Sequence, residues 1–315
     1  MYRDRKVAIV VPAYNEEKLI TKTVETMPDF VDLILVVNDG SSDRTLEVLQ
    51  GLKDDHKNLE VLTNDPNRGL GYSLVRGYKE ALKRSDIDII GTLAGDAQCD
   101  PDYLSKLCDK LIDEDWDYVK ANRFNNLEAL RAMPPFRRVG NIVISLLNKF
   151  ATGYYSIFDS QNGYGVFKRS TMQRLPFELI GERYDYENTM LLAMGVINGR
   201  VKDIPVPAVY GEEVSTIKFF PVMRRALGVL FVGFWKRIYY KYVIFNFHPL
   251  ALFLFSGLIL TVLGFGFGLF LAYSRIFLGS QPSSGTVMLS VLPLLVGFQL
   301  VLTAIVMDVN NENRP

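Results

Sequence analysis

Two apolar stretches without a charged residue, close to the C-terminus, constrain the fold of this chain more than any other feature. Residues 249–273 and 286–307 contain 25 and 22 residues without a single Asp, Glu, Lys or Arg. About 20 apolar residues are enough for a helix to cross the hydrocarbon core of a bilayer. Because the connection over 274–285 is short, the two stretches predict a transmembrane helical hairpin that follows a globular domain.

The charges balance over the whole chain, at 35 basic and 35 acidic residues, but they are unevenly distributed. Residues 216–245 carry six Lys or Arg and no acid, whereas residues 1–215 have a net charge of −6. Basic residues beside a first span favour the cytoplasmic side. We therefore expect an integral membrane protein with its globular domain and both termini in the cytoplasm. Nucleic acid is not expected as a partner, because a domain that binds it usually shows a basic face.

The segment before the hairpin, residues 219–242, mixes aromatic and aliphatic residues with isolated charges. Arg225 and Lys236 are eleven residues apart, which is three helical turns, so they share one face of a helix. This pattern is typical of helices that lie in the membrane interface. A third spanning helix is the alternative, and the charges disfavour it.

In the first 125 residues, apolar runs alternate with helical stretches. The runs predict strands at 7–11, 33–37, 59–62 and 87–93. The stretches between and after them predict helices at 16–27, 43–53, 69–84 and 101–113. Such alternation predicts a Rossmann-like α/β fold with a mostly parallel sheet covered on both faces. Ligands of these sheets bind at the carboxyl ends of the strands. Further along, a helix over 136–150, a strand over 163–168 and a helix over 184–197 are expected.

The residues at the ends of the first three predicted strands suit a nucleotide ligand. Tyr14, after the strand-stopping Pro12, offers a flat ring for base stacking, and Glu16 can accept hydrogen bonds or cap a helix. Asp39 can accept from a ribose hydroxyl or a base amine, and Gly69 lets the backbone approach a ligand closely. Taken singly, each turn is explained as well by ordinary helix capping. Together with the turn after the fourth strand, described next, they form four turns in order, which point to a nucleotide site far more specifically.

The turn after the fourth predicted strand suits a metal. Asp96 and Gln98 present oxygen ligands two residues apart, and Mg²⁺ or Mn²⁺ bind oxygen ligands that substrate phosphates often complete. Asp100, which precedes a proline, is better explained as the start of the next helix.

Together, these four turns resemble those of the family 2 glycosyltransferases with the GT-A fold, which use nucleotide-diphospho sugars and invert the anomeric centre. The resemblance implies metal binding by Asp96 and Gln98. It also implies a nucleotide site formed by Pro12, Tyr14, Glu16, Asp39, Arg68, Gly69 and Asp96. Ala94 stands where the family motif has its first acid, so a weaker hold on the metal is expected.

The following part of the chain resembles one branch of that family, the dolichyl-phosphate and polyprenyl-phosphate sugar synthases. Residues 119–124 are similar to a strand that ends in a basic residue near the acceptor phosphate, and residues 159–169 are similar to the acceptor loop. Gly165 stands where that loop often has a basic residue. The resemblance implies an acceptor site formed by Arg123, Arg137, Arg138, Ser160, Gln161, Asn162 and Lys168. We assign the catalytic roles to Asp96, Arg123 and Asp159.

The predicted function is transfer of a sugar from a nucleotide-diphospho sugar to a polyprenyl phosphate at the membrane. A lipid phosphate is already an anionic nucleophile and needs no base. A lipid or glycan hydroxyl, the first alternative, would need one, and Asp159, Asp185 and Glu187 are its candidates. The second alternative, prompted by Ala94, is a non-catalytic membrane partner that only binds nucleotide sugar.

The predicted domains are a GT-A domain at 1–215, interfacial helices at 216–246, the hairpin at 247–307 and a cytoplasmic tail at 308–315. Glycines in the first span, among them Gly257 and Gly264, allow close helix contact. They pack either within the hairpin or between copies in a homo-oligomer, and we favour packing within the hairpin.

Overall fold

A mixed sheet organises the N-terminal part of the molecule. The computed structural model describes residues 1–97, 99–123, 135–183, 185–207, 219–244 and 247–312, and the side chains of 135–142 and 219–226 lie outside that description. Contacts divide the chain into two compact units, residues 1–234 and residues 235–312.

Seven strands in the described part of the chain form one sheet in the order β3-β2-β1-β4-β6-β5-β7. All pairs are parallel except those of β6, which runs antiparallel to β4 and β5. This confirms the mostly parallel α/β fold. The strands are β1 Val7–Ala13, β2 Leu33–Asn38, β3 Leu59–Thr63, β4 Ile89–Thr92, β5 Tyr118–Asn122, β6 Gly165–Lys168 and β7 Val201–Pro205.

Helices cover the sheet and extend beyond it. In the N-terminal unit they are α1 Ile20–Glu25, α2 Thr45–Asp55, α3 Leu70–Leu82, α4 Tyr103–Asp113, α5 Pro135–Thr152, α6 Arg169–Arg174 and α7 Tyr186–Val196. The helix α8, Phe219–Tyr239, continues as a π-helix over Tyr240–Ile244, and α9 Pro249–Phe277 and α10 Ser284–Asn310 follow. Alternate residues of β1 enter two different cores: Val7 and Ile9 pack on one face of the sheet, Ala8 and Val10 on the other.

Helix α1 is shorter than the sequence predicts, because its expected first turn is bound to a neighbouring loop instead. Asn15 adopts a left-handed conformation with φ of 58°. The amide of Glu16 donates to the hydroxyl of Thr45 at 2.8 Å, and that of Glu17 donates to Asp43 at 3.2 Å. These bonds satisfy backbone donors that a helix N-terminus leaves open. Strand β7 and helix α6 were not predicted, since both are short and carry no clear apolar period.

The C-terminal unit contains two helices, α9 and α10, that are long and apolar enough to cross a membrane. They approach closely at small residues. A side chain at Gly257 would lie 2.9 Å from the carbonyl oxygen of Gly297, and one at Gly264 would lie 2.6 Å from the amide of Leu294. The preference for glycine packing within the hairpin is confirmed at these two positions, in accordance with small-residue helix contacts in membranes.

A buried ion pair within the C-terminal unit joins the end of α8 to the end of α10. The guanidinium of Arg237, which is fully buried, donates from both terminal nitrogens to the carboxylate of Asp308, at 2.8 and 2.7 Å. The hydroxyl of Tyr242 donates to the same carboxylate at 2.6 Å. Forked pairing of this kind fixes the geometry of both partners. The end of α10 is thereby fastened to α8 and to the π-helix.

Candidate active site

The carboxyl ends of the first strands meet at one edge of the sheet, and Asp39 organises that edge. Its carboxylate is buried and accepts hydrogen bonds from the amides of Arg68 at 2.9 Å and Gly69 at 2.7 Å, and from the side chain of Asn64 at 2.8 Å. Asp39 therefore fixes the loop after β3 against the end of β2. The carboxylate predicted to contact the nucleotide therefore also holds the loop after β3 in place.

The loop after β1 is tied to the loop after β2 and presents an aromatic ring. The amide of Asn15 donates to Ser41 at 3.0 Å, and the amide of Ser42 donates back to the side-chain oxygen of Asn15 at 2.8 Å. Tyr14, directly before Asn15, is 51% exposed. An exposed ring on a fixed backbone suits base stacking, which is the role predicted for it. Pro12 and Glu16, the flanking residues of the predicted site, are both partly exposed.

The turn that carries Asp96 lies directly against the end of β1. A side chain at Gly95 would come within 2.9 Å of the carbonyl oxygen of Pro12, and the hydroxyl of Thr23 donates to the carbonyl oxygen of Gly95 at 3.0 Å. Asp96 itself is partly exposed at this edge. It therefore lies beside the predicted nucleotide residues and outside the packed interior.

The donor set for a metal is small. Among the described residues, no group of three or more His, Cys, Asp or Glu side chains is arranged to hold an ion. Ala94 contributes no oxygen from its side chain, and Gln98 lies outside the described residues. Asp96 fits a hard cation as one carboxylate ligand whose remaining partners come from the phosphates of a bound nucleotide.

The glycine-containing loop after β3 packs tightly against the segment that precedes α7. Gly69 has φ of 101°, and a side chain there would come within 2.6 Å of the carbonyl oxygen of Glu182. The amide of Tyr72 donates to the same oxygen at 3.0 Å. The exposed guanidinium of Arg68 lies 4.9 Å from the centre of the Tyr72 ring. Gly69 is thus required by backbone conformation and space, whatever its part in ligand binding.

Arg123, directly after β5, is held by Asp159 in three places. The backbone amide, Nε and Nη2 of Arg123 donate to the Asp159 carboxylate at 3.0, 2.9 and 3.2 Å. The carboxylate is fully buried, whereas the Arg123 side chain remains 41% exposed. A buried carboxylate engaged in this way is poorly placed to take a proton from a substrate. It is well placed to fix the direction of the guanidinium.

A second cation, Lys120, lies beneath this pair and was missed by the sequence analysis. Lys120 is 1% exposed, and its ammonium donates to the backbone carbonyl of Asp159. Burial lowers the pKa of Lys120 to about 8. Lysines are rarely fully buried without a partner, so a lysine inside an otherwise buried strand was the signal available in the sequence.

The position of Lys120 also explains Gly165, where the resemblance led us to expect a basic residue. The two residues are opposite each other in the β5–β6 pair. A side chain at Gly165 would come within 2.7 Å of both the Tyr118 ring and the carbonyl oxygen of Val119. There is no space for one on β6, and the positive charge next to Asp159 comes from the neighbouring strand.

The two halves of the site lie at the same edge of the sheet. Strands β4 and β5 are both antiparallel to β6, so the Asp96 turn and Arg123, which follow these two strands, lie at one edge. Burial raises the pKa of the Cys99 thiol to about 11; the charge of Asp96 raises it further and that of Arg123 lowers it. Glu187, in the first turn of α7, is sensitive to the charges of Lys120, Arg123 and Asp159, and desolvation raises its pKa to about 7.

The other predicted acceptor residues fall into three groups. Gln161 donates to Asn188 at 2.7 Å, and the side-chain oxygen of Asn162 accepts from the amide of Tyr164 at 3.0 Å, so these two side chains hold the loop; Ser160 is buried. The side chains of Arg137 and Arg138, on α5, lie outside the described part of the structure.

Lys168 needs a correction. Because β6 is antiparallel, Lys168 pairs with Ile89 at the start of β4, at the opposite edge of the sheet. Its ammonium is paired with Asp115 there. It is therefore removed from the acceptor site.

Comparison with known proteins identifies this arrangement. Residues 8–175 match the family model described as glycosyl transferase family 2, which is more than half of the chain. The chain belongs to glycosyl transferase family 2. The matched region begins in β1 and ends just after α6, so it includes the Asp96 turn, Arg123 and Asp159. This glycosyltransferase is therefore an enzyme of the class predicted from its strand-end turns.

Two curated relatives extend the comparison. The UDP-N-acetylglucosamine–dolichyl-phosphate N-acetylglucosaminyltransferase of Methanococcus voltae is 29% identical over 222 residues, which is 66% of this chain and 88% of the relative. The undecaprenyl-phosphate 4-deoxy-4-formamido-L-arabinose transferase of Pectobacterium carotovorum is 24% identical over 307 residues, 94% of this chain and 85% of the relative. The second match extends into the region of α9 and α10.

Among solved structures, glucosyl-3-phosphoglycerate synthase of Mycobacterium tuberculosis, in complex with Mn²⁺, UDP-glucose and phosphoglyceric acid, superimposes with a TM-score of 0.57. It is 18% identical, and the match covers 73% of this chain and 79% of the synthase. Similarity at this level shows a shared fold, and the GT-A fold expected from the sequence is confirmed.

Proposed function

We propose that this glycosyltransferase moves one sugar from a nucleotide-diphospho sugar to a polyprenyl phosphate. The observation that carries the proposal is the Arg123 guanidinium, which is fixed by the buried Asp159 carboxylate yet exposed, at the same edge of the sheet as the Asp96 turn. An oriented arginine is suited to bind a phosphate by forked hydrogen bonds. The names of both curated relatives include a polyprenyl-type phosphate acceptor, which supports the same substrate class.

The acceptor phosphate would act as the nucleophile without a general base. One of its oxygens attacks C1 of the sugar from the face opposite the leaving group, and a bond forms between that oxygen and C1. The bond from C1 to the nucleotide diphosphate breaks, and the diphosphate leaves with the electron pair, so the anomeric centre inverts. Arg123 holds the attacking phosphate in line, and this positioning supplies much of the rate enhancement.

Within this proposal Asp159 is a positioning residue. It binds Arg123 through three hydrogen bonds and thereby selects one orientation of a side chain with many rotamers. Lys120, which donates to the carbonyl of Asp159, fixes the loop that carries the carboxylate. The net positive charge of the three groups favours an incoming phosphate.

On the donor side, Tyr14 would stack on the base and Asp39 would hold the loop that carries Arg68 and Gly69 around the nucleotide. A Mg²⁺ or Mn²⁺ ion bound by Asp96, and by Gln98, would neutralise charge on the departing diphosphate. The similar mycobacterial synthase was crystallised with Mn²⁺ and a nucleotide sugar, which supports a divalent ion here.

The membrane arrangement completes the proposal. Helices α9 and α10 would span the bilayer, with the basic segment before α9 on the cytoplasmic side and the loop after Arg275 on the outer side. The GT-A domain and both ends of the chain would then face the cytoplasm, from which a nucleotide sugar would enter the site.

Transfer to a hydroxyl acceptor is the second candidate, and Glu187 is the observation that favours it. With a pKa raised to about 7, this carboxylate is in the range expected of a general base. A side chain at Gly163, in the loop that follows Asp159, would lie 3.6 Å from a carboxylate oxygen of Glu187, which supports a role on the acceptor side.

A matched pair of acceptors separates the two candidates. The full-length enzyme in lipid nanodiscs is given a panel of nucleotide sugars, Mn²⁺, and either a polyprenyl phosphate or the corresponding polyprenol, and products are read by mass. We expect glycolipid only with the phosphate, and loss of product on chelation of the metal. Product from the polyprenol alone would establish the hydroxyl reaction, and no product with any donor would contradict the proposal.

A further inference from the structure

A hydrogen bond joins the Asp96 turn to the loop at residues 159–164, which contains Asp159 and ends where β6 begins. The hydroxyl of Tyr164, the last residue of this loop, donates to the backbone carbonyl oxygen of Asp100 at 3.0 Å. Asp100 lies four residues after Asp96, in the turn between β4 and α4. A side chain from the acceptor half of the site thus holds the backbone of the turn that carries the predicted metal ligand.

Tyr164 is enclosed by the protein and fixed at its backbone as well. It is 2% exposed and packs in the same core as Val7 and Ile9 of β1. Its carbonyl oxygen accepts from the amide of Ala121 on β5 at 2.9 Å, and its amide donates to the side chain of Asn162 at 3.0 Å. Because Tyr164 is so buried, any effect that it has on the reaction must pass through other groups.

The hydroxyl is the informative part of this side chain. A phenylalanine would fill the same space in the core, so packing alone does not require a tyrosine. Burial raises the pKa of Tyr164 well above its usual range, so the hydroxyl stays protonated and acts as a donor. The carbonyl oxygen of Asp100 also accepts from the amide of Tyr103 at 3.3 Å, so it would keep a partner without Tyr164. What the hydroxyl adds is a connection between two separate segments.

The Asp96 turn is held on both sides of Asp96. On one side, Gly95 packs against the end of β1, and the hydroxyl of Thr23 donates to the carbonyl oxygen of Gly95 at 3.0 Å. On the other side, Tyr164 holds the turn at Asp100. The conformation of the turn around Asp96 therefore depends on the acceptor half of the site as well as on β1.

The loop at 159–164 also orients the cation assigned to the acceptor. Asp159, its first residue, binds Arg123 through the carboxylate, and its carbonyl oxygen accepts from Lys120. Tyr164 is the last residue of the same short loop. An ordered loop would therefore fix Arg123 at one end and the Asp96 turn at the other.

Ligand binding to either segment orders irregular backbone, which costs conformational entropy. When two such segments are joined, the ligand that binds first also orders the segment used by the second, so the two ligands bind cooperatively. We propose that Tyr164 is a positioning residue that couples binding of the donor and its metal at the Asp96 turn to binding of the acceptor beside Arg123. This inference rests on the proposed function and extends it, since the bound donor would prepare the loop that orients Arg123.

The coupling can be tested first without an acceptor. Hydrogen exchange of residues 159–164 is measured by mass spectrometry in the full-length protein, alone and with Mn²⁺ and whichever of UDP, GDP, CDP and ADP binds most tightly. We expect the nucleotide to slow exchange in this loop about tenfold in the unsubstituted protein and less than about twofold in Tyr164→Phe.

Tyr154→Phe is the matched control. Tyr154 is 3% exposed, and its hydroxyl donates to the carbonyl oxygen of Gly199 at 2.6 Å. Gly199 lies just before β7, which is parallel to β5, so this bond is at the edge of the sheet opposite Arg123. The control therefore loses a buried hydrogen bond of the same kind far from the proposed link, and it should keep the full protection of residues 159–164.

Three results would overturn the proposal. Protection that persists in Tyr164→Phe would show that the nucleotide orders the loop without this bond. A loop unprotected in the unsubstituted protein, at saturating nucleotide, would show that the two segments are not coupled. An equal loss of protection in Tyr154→Phe would attribute the effect to general destabilisation.

A binding measurement then connects the coupling to the proposed function. Kd for a polyprenyl phosphate in nanodiscs is measured with and without Mn²⁺ and the same nucleoside diphosphate. We expect the nucleotide to lower this Kd about tenfold in the unsubstituted enzyme and in Tyr154→Phe, but less than about twofold in Tyr164→Phe. A merely structural role would raise both Kd values of Tyr164→Phe and keep their ratio, which would contradict the coupling. If the unsubstituted enzyme bound no polyprenyl phosphate at all, the proposed function would be wrong and the exchange result would still stand.

Discussion

The donor half and the acceptor half of the site are built in different ways. In the donor half, short turns that follow β1, β2 and β3 are connected by hydrogen bonds of backbone amides, as between Asp39 and the loop of Gly69. The acceptor half depends on charged side chains, the buried Lys120 and Asp159 and the partly exposed Arg123, which come from β5, from its end and from the loop before β6. Hydrogen bonds of the backbone thus fix the shape of the donor half, whereas contacts among the charged groups fix the geometry of the acceptor half.

The comparison predicts its largest effect at Arg123. Arg123→Ala removes the proposed phosphate ligand and leaves the buried Asp159 carboxylate unpaired, so we expect kcat/KM for polyprenyl phosphate to fall about 10²- to 10³-fold. Binding of the nucleotide diphosphate, measured by titration calorimetry, should weaken less than about threefold.

Lys168→Ala is the matched control, since Lys168 is at the other edge of the sheet, and its activity should be unchanged. If Arg123→Ala weakened donor binding as strongly as acceptor use, the division into two halves would be wrong.

A smaller loss is expected when the orienting carboxylate alone is neutralised. Asp159→Asn keeps one acceptor oxygen but loses the charged fork, so KM for the lipid acceptor should rise about 10- to 100-fold, with a smaller change in kcat. Combined with Arg123→Ala, it should cause almost no further loss, because the two residues act as a unit.

Steady-state kinetics of the four proteins in this cycle give the coupling directly. Additive losses would separate Asp159 from Arg123. A loss confined to kcat, with a basic limb of the pH profile removed, would instead identify Asp159 as a base.

The metal site of the donor half can be tested by introducing an acid at position 94, where the family motif has its first acid. Ala94→Asp adds a carboxylate to a metal site to which Asp96 is the one described carboxylate ligand, so the Mn²⁺ concentration for half-maximal activity should fall about tenfold. KM for the acceptor should not change. Ala94→Asn, which adds a neutral oxygen of similar size, is the control and should have a smaller effect; equal behaviour of all three proteins would show that position 94 does not face the metal.

The smallest expected effect is that of Glu187 on pH dependence. Its pKa is raised to about 7, so the folded protein keeps a proton that the unfolded chain loses at lower pH. Stability linked to this proton is full below the ordinary carboxyl pKa and is lost as the pH rises through about 7. Above that pH, the new negative charge also competes with the lipid phosphate for the field of Arg123.

We therefore expect KM for the acceptor to rise about three- to fivefold between pH 6 and pH 8 in the unsubstituted enzyme and to rise less in Glu187→Gln, where only Lys120 still loses charge near pH 8. As the pH rises from 6 to 8, the thermal midpoint of Glu187→Gln in detergent should increase relative to that of the unsubstituted protein. A collapse of kcat in Glu187→Gln with a polyprenol acceptor would favour the hydroxyl reaction.

The difference between the halves also decides how much could be predicted from the sequence. Tyr14, Asp39, Gly69 and Asp96 lie in consecutive turns after apolar runs, and such local patterns are visible in the order of residues. The pairing of Arg123 with Asp159 spans 36 positions. A lysine within a buried strand does mark Lys120 as unusual, but nothing nearby in the sequence indicates that its partner is Asp159, 39 positions away. Lys168 was placed wrongly because the antiparallel direction of β6 cannot be read from a four-residue strand.

The pairing of Arg237 with Asp308 has a practical consequence for anyone who shortens this protein. Asp308 stands one residue beyond the second charge-free stretch, where a designer would naturally end an expression clone. Truncation at that point would leave the buried guanidinium of Arg237 without its carboxylate partner. Loss of a buried ion pair of this kind typically lowers the free energy of unfolding by about 3–5 kcal/mol. Purification tags therefore belong after the final proline, and a shortened chain should retain Asp308.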